Sequence, residues 1–137
     1  MFWLKSLKMQ EMDRVKFEYA IIRIVPKVER DEFFNVGVIL FSKRKKFLDI
    51  KYEIGRNKLE CFSEEMDIES LNDYLNAWKS ICLGAPAGGA IGKLDLSDRF
   101  RWLTASRSTI IQSSQTHSGL CLDPEKELED IFKRYVL

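Results

Sequence analysis

The chain's single histidine, His117, lies in the run QTHSG, with Ser113, Ser114 and Ser118 close by and Cys121 four positions on. A histidine beside a hydroxyl or thiol can form a nucleophile-and-base pair, provided the two side chains come within hydrogen-bond reach. Neighbours along a strand or loop point different ways, and no Gly-x-Ser-x-Gly elbow is present. The commoner role is a loop histidine bonded to backbone or water. The functional one is a ligand-facing histidine that moves a proton or contacts a phosphate.

The arginines carry the second chemical signal. Arg23 sits in the otherwise apolar run FEYAIIRIV, residues 17–25. A buried guanidinium is costly unless paired, so Arg23 calls for a carboxylate such as Glu32 or for an anionic ligand. Arg30 and Arg107 fall in polar connections, and Arg101 falls in a run read below as a strand. Gathered at one end of a sheet with Thr104, Gln112 and His117, these arginines would form an anion pocket. Lys43, Arg44, Lys45 and Lys46 read as a solvated hairpin tip that would also serve as a phosphate or nucleic-acid contact. The segment AGGAIGKL, residues 87–94, approaches a phosphate-binding loop but has Ala87 where glycine is usual and Leu94 where Ser or Thr would hold magnesium. It also leaves a helix instead of a strand, and reads as a linker.

These groups must be positioned by the elements around them. Residues 1–16 look like an N-terminal extension without the apolar core of a secretory signal. Residues 17–25 and 33–41 read as two strands apolar on both faces, the second interrupted by Asn35 and Gly37. Pro26 ends the first, residues 27–32 form a charged loop, and residues 47–52 alternate as a half-exposed strand closing a hairpin. A short helix is expected at residues 56–62. The stronger helix runs from Ile68 to Leu83, because Ile68, Leu71, Leu75, Trp78 and Cys82 recur at spacings of three and four. Asp67 is its expected N-cap and Gly84 its C-terminal stop. A flexible segment follows at 85–92, then strands at 99–104 and 109–114, and a polar loop at 115–122. A helix from Glu125 to Tyr135 follows the Asp123-Pro124 start signal.

Strands joined by short turns imply an α+β fold: one domain over residues 17–137, with about five mostly antiparallel strands and two main helices. The 137 residues suit one domain, and 45% hydrophobic with 31% charged residues describes a globular chain. No apolar run approaches the roughly 18 residues of a membrane span. Three separated cysteines without a CxxC, and one histidine, argue against a disulfide framework, a zinc site or a multi-histidine metal centre, and no cofactor is expected. The net charge of +1 hides 14 basic against 8 acidic residues over 1–58, and 2 against 8 over 59–98. Complementary faces of one domain are the ordinary explanation. A nucleic-acid surface is the sharper one, weakly supported at this overall charge.

Two segments, RIVPKVERDEFFNVGVILF from Arg23 and RFRWLTASRSTIIQSSQTHSGLCLDPEKELEDIF from Arg99, together resemble the bacterial domain-of-unknown-function family 3037. The resemblance rests on Arg23 and Pro26, on Arg30, Glu32, Asn35, Gly37 and Val38, on Arg107 to Thr109, and on His117 to Gly119 with Asp123 and Pro124. It covers about residues 17–136. It brings no established activity. It implies a small cytoplasmic bacterial protein, often encoded beside a HipA-like kinase, and hence a partner or regulatory subunit. It also implies that Arg23, Arg30, Glu32, Asn35, Arg107, Gln112 and His117 line a common polar cleft. The leading expectation is a non-enzymatic binding module for a protein partner. The alternative is an enzyme or ligand-binding protein for a phosphate-bearing or nucleic-acid substrate.

Overall fold

The computed structural model describes residues 13–25, 33–55, 68–105 and 110–137. Arg30, Glu32, Asp67, Arg107 and the short helix expected at 56–62 lie outside the described residues. Strand β1 (Val15–Ile24) is the centre of the sheet, because its sequence is apolar toward both faces. Strand β2 (Phe34–Ser42) pairs with it antiparallel along nearly its whole length, and β3 (Phe47–Tyr52) closes the hairpin on the far side of β2. The other edge of β1 is shared by two short antiparallel strands, β4 (Ile111–Ser113) beside Ile22 to Ile24 and β5 (His117–Cys121) beside Val15 to Tyr19. The sheet thus has five strands in an α+β domain.

Among the described residues, three α-helices cover it. Helices α1 (Ile68–Leu83) and α2 (Leu96–Thr104) pack on one face, where Leu75, Phe100 and Leu103 meet Ile22, Ile39 and Ile50. Helix α3 (Pro124–Tyr135) packs on the opposite face, with Leu128, Ile131 and Phe132 against Phe17, Ile21, Val38 and Leu40. Two covered faces explain why β1 and β2 read as continuous apolar runs and not as alternating ones. Helix α3 starts as its sequence dictates: the Asp123 carboxylate accepts from the Glu125 N–H at 3.1 Å, and Pro124 fills the first turn. Helix α1 ends at Gly84, whose φ is 67°. Among the described residues, no helix is long and apolar enough to cross a membrane.

Three expectations are corrected. Residues 99–104 are helix, not strand. In a strand Phe100 and Trp102 would share a face, yet Phe100 is fully buried and Trp102 is 39% exposed. The true pattern is Leu96, Phe100 and Leu103 on one helical stripe, with Phe100 stacked on Phe41 at 5.3 Å. Six residues are too few to separate the two periods. The segment 115–122 is not a plain loop, since β5 occupies most of it. The Ala/Gly segment is two 3-10 turns, Pro86–Gly88 and Ile91–Lys93, tied to α1 by an Ala85 N–H donating to the Ser80 carbonyl at 3.0 Å.

Strand β5 forms from a polar, glycine-bearing sequence because β1 supplies the packing. Gly119 pairs with Phe17, whose ring lies directly over it. A Cβ at position 119 would stand 2.9 Å from two ring carbons. Phe17 is only 4% exposed and cannot swing away. Aromatic cover of this kind offsets the weak strand preference of glycine. Gly119→Ala should therefore lower stability by about 1–3 kcal/mol, the usual penalty for overpacking. Urea denaturation measures it, and adding Phe17→Leu should cost less than the sum of the two single changes.

Candidate functional site

Arg23 is the one charged residue on the inner half of β1, and the register explains its neighbours. Ile22 pairs with Gly37, but Arg23 pairs with Asn35, so Val36 is an extra residue forming a β-bulge. Without that bulge Arg23 would face Val36. With it, Asn35 on β2, Arg23 on β1 and Gln112 on β4 stand in one row across the sheet. Alternation along β1 puts this row on the face that carries α3. The Asn35 Nδ2 donates to the Tyr135 carbonyl at the end of α3, at 3.1 Å. The Arg23 guanidinium lies over the Phe33 ring, 4.2 Å from its centre, a cation–π contact of about 0.5–1 kcal/mol. Two atoms in this row, Arg23 Nε and Asn35 Oδ1, are buried and have no hydrogen-bond partner among the described residues. A donor and an acceptor left unpaired side by side suit a planar polar ligand group.

His117 lies on the same face, directly opposite Tyr19, with the ring centres 5.3 Å apart. Tyr19 stands four residues before Arg23 on β1, which is roughly 13 Å at strand rise. Ile21, joined to Ser114, fills the space between. The Ile21 N–H donates to Ser114 Oγ, and the Ser114 N–H donates back to the Ile21 carbonyl, both at 2.8 Å. Tyr135 connects the two ends. Its carbonyl takes Asn35, and its side chain meets Tyr19, whose phenol is pushed above its ordinary value by burial and then by Tyr135 itself. Tyr19 and Tyr135 were missed as site residues. The available signal was Tyr19 standing at an even spacing from Arg23, hence on the same strand face.

The groups around His117 do not assemble a nucleophile. Ser118 pairs with Glu18 and Ser113 with Ile22, so both face the opposite side of the sheet from His117. Ser114 is buried in its bonds to Ile21. Burial, with Asp49 nearby, pushes the Cys82 thiol up to about 12, and burial also raises Cys121. Among the described residues no His, Cys, Asp or Glu group of three is placed to hold a metal.

Two sequence candidates sit elsewhere. Arg101 is on α2, not on a strand, and its Nη2 donates to both Glu18 oxygens at 2.8 and 2.9 Å. Thr104 is on the same helix and donates to the Phe100 carbonyl. Neither joins Arg23, because the α2 face is the opposite one. Lys43 to Lys46 form the exposed β2–β3 turn, next to the beginning of β1, whereas Arg23 stands near its end.

The two sheet edges differ. On β3, the Ile50 N–H donates to the Asp49 carboxylate at 2.8 Å, and the Ile50 carbonyl accepts from Lys79 of α1 at 3.2 Å. Lys79 also pairs with Asp49 at 2.5 Å. Charged side chains therefore occupy that edge, a standard protection against strand addition. Beside β4 and β5 no further strand is paired among the described residues. Leu120 and Leu122 along it are 63% and 48% exposed.

A family model described as Protein of unknown function (DUF3037) matches residues 19–136. No curated protein and no solved structure matches.

Two outcomes check this geometry. An unpaired buried polar atom costs about 1–3 kcal/mol, so Arg23→Met should leave stability unchanged or raise it by about 1 kcal/mol in urea denaturation. A loss above about 2 kcal/mol would make Arg23 a structural residue. In a Cys61→Ser variant, Cys82 and Cys121 should resist a thiol reagent at neutral pH until the chain unfolds, because the thiolate is the reactive species.

Proposed function

The chain belongs to the family Protein of unknown function (DUF3037), and we propose that it is a non-catalytic binding module of the bacterial cytoplasm that captures an extended segment of a partner protein along β4 and β5. The observation that carries this reading is the asymmetry of the edges: β3 is occupied by Asp49 and Lys79, while β5 has no outer strand beside it among the described residues. Extended peptides add to such an edge through main-chain hydrogen bonds, and side-chain contacts alternating along the strand supply specificity.

The polar row serves the same purpose. Gln112 and His117 lie on β4 and β5 themselves, and Arg23 is one strand inward from Gln112. A segment docked on this edge would run past both, with a side-chain carboxylate or amide able to reach Arg23 and Asn35. Leu120, on the other face, offers the docked segment apolar contact. The serines near His117 face away or are engaged, and Cys82 and Cys121 are held as thiols, which favours binding over covalent catalysis. A HipA-like kinase is the partner to test first.

Leu120→Lys with Leu122→Lys places charges along the edge at exposed positions, where folding stability should change by no more than about 0.5 kcal/mol. Co-purification with a HipA-like kinase from the same genome should be strong for the natural chain and at least tenfold weaker for the double variant. A variant that binds as well as the natural chain contradicts the edge, and a natural chain that never associates contradicts the partner.

A further inference from the structure

On the face opposite the polar row, at the other end of the sheet, β1, the β2–β3 turn and α2 enclose a groove of about 400 Å³. Its charged lining comes from all three: Lys16 and Glu18 from β1, Lys43 and Arg44 from the turn, and Arg101 from α2. Ser97, in the first turn of α2, completes the rim. Four cations thus meet one carboxylate. Both Glu18 oxygens are already taken by Arg101, and among the described residues no carboxylate pairs with Lys16, Lys43 or Arg44.

The fold holds these cations together. The fully buried Ser42 donates from its hydroxyl to the Lys16 carbonyl at 3.0 Å, fixing the start of the turn beside the start of β1. The turn is closed by the Lys46 N–H donating to the Lys43 carbonyl, with Lys46 itself at φ 51°, in the left-handed region. Glycine or asparagine is usual at such a position, and this turn has a fourth consecutive cation there. Glu18, itself on the groove wall, also fixes the Arg101 guanidinium with two charge-assisted bonds, a pre-organised donor arrangement. Phe41, on the groove's face, is only 5% exposed, so recognition there depends on charge and not on stacking.

We propose that this groove binds a small ligand bearing two or more phosphoryl groups. The volume is in the range of ligand-binding clefts. Four cations converge from three chain segments, and three of them, Lys16, Lys43 and Arg44, have no carboxylate partner among the described residues. Together they give a compact positive field, which concentrates a multiply charged anion. A long polyanion would be better served by a basic stripe and a strongly basic chain, and the net charge here is +1. The assignment does not rest on the edge-binding function: its cations lie on β1, the β2–β3 turn and α2, with none on β4 or β5, although Leu120 of β5 stands opposite Lys16.

Inorganic pyrophosphate, ADP and a short DNA duplex, each titrated calorimetrically at low and moderate salt, test the proposal. Lys16→Glu and Arg44→Glu, both at exposed positions, should weaken pyrophosphate binding at least tenfold. Lys45→Glu removes a cation from the same turn, but its side chain does not line the groove, and it should weaken binding less than threefold. Tighter binding of ADP than of pyrophosphate would assign a nucleoside diphosphate, and equal binding a phosphoryl site without base recognition. The proposal is overturned if neither small anion binds, if Lys45→Glu costs as much as Arg44→Glu, or if the duplex binds and pyrophosphate fails to displace it.

Discussion

Strand β1 must satisfy its backbone on two edges and bury its side chains on two faces at once. Its residues Glu18 to Ile24 pair with β2 on one side, and Ile22 to Ile24 with β4 and Val15 to Tyr19 with β5 on the other. Between β4 and β5 the ladder is carried across by Ser114, whose hydroxyl and backbone both bond Ile21. Buried backbone groups have to be paired, so short polar segments such as β4 and β5 become strands because β1 requires partners. The ring of Phe17 over Gly119 and the bulge at Val36 are local adjustments to the same demand.

That demand also sets where chemistry can sit. A strand covered on both faces tolerates polar side chains only near its ends, where helix cover runs out. Arg23 and Tyr19 look toward the end of α3, and Tyr135 bonds the row on one side and Tyr19 on the other. At the start of the same strand, Lys16 and Glu18 look toward α2 and meet Arg101 and the basic turn. One central strand therefore presents two polar surfaces, on opposite faces and at opposite ends. The edge asymmetry adds a third feature, since Lys79 and Asp49 close β3 while β5 has no outer strand beside it among the described residues.

Most of the scaffold was legible in the sequence because burial leaves a strong pattern. The bounds of α1 and β3 follow directly from their three-and-four and two-residue spacings. The α2 segment misled because RFRWLT alternates like a strand and is too short to show its helical period. Strand β5 was hidden because its reason for forming lies in Phe17 and Tyr19, about a hundred residues away. The row of Asn35, Arg23 and Gln112 was legible as residue types, but their adjacency depends on a bulge that no local pattern marks. Arg101 was misplaced for the same reason as its helix. The cationic groove was half visible, as a basic turn, while Lys16 and Ser97 gave no signal until the chain folded.

Amide hydrogen exchange, resolved residue by residue on the isolated chain, reads the state of the outer edge directly. The account predicts that β1 is the slowest-exchanging strand, since both its edges are bonded, and that β5 divides into two alternating sets. Amides turned toward β1 should be protected, and those turned outward should exchange nearly as fast as exposed amides. Uniform protection of His117 to Cys121 at the level of β1 would mean that another strand already occupies that edge, and no partner could then add to it.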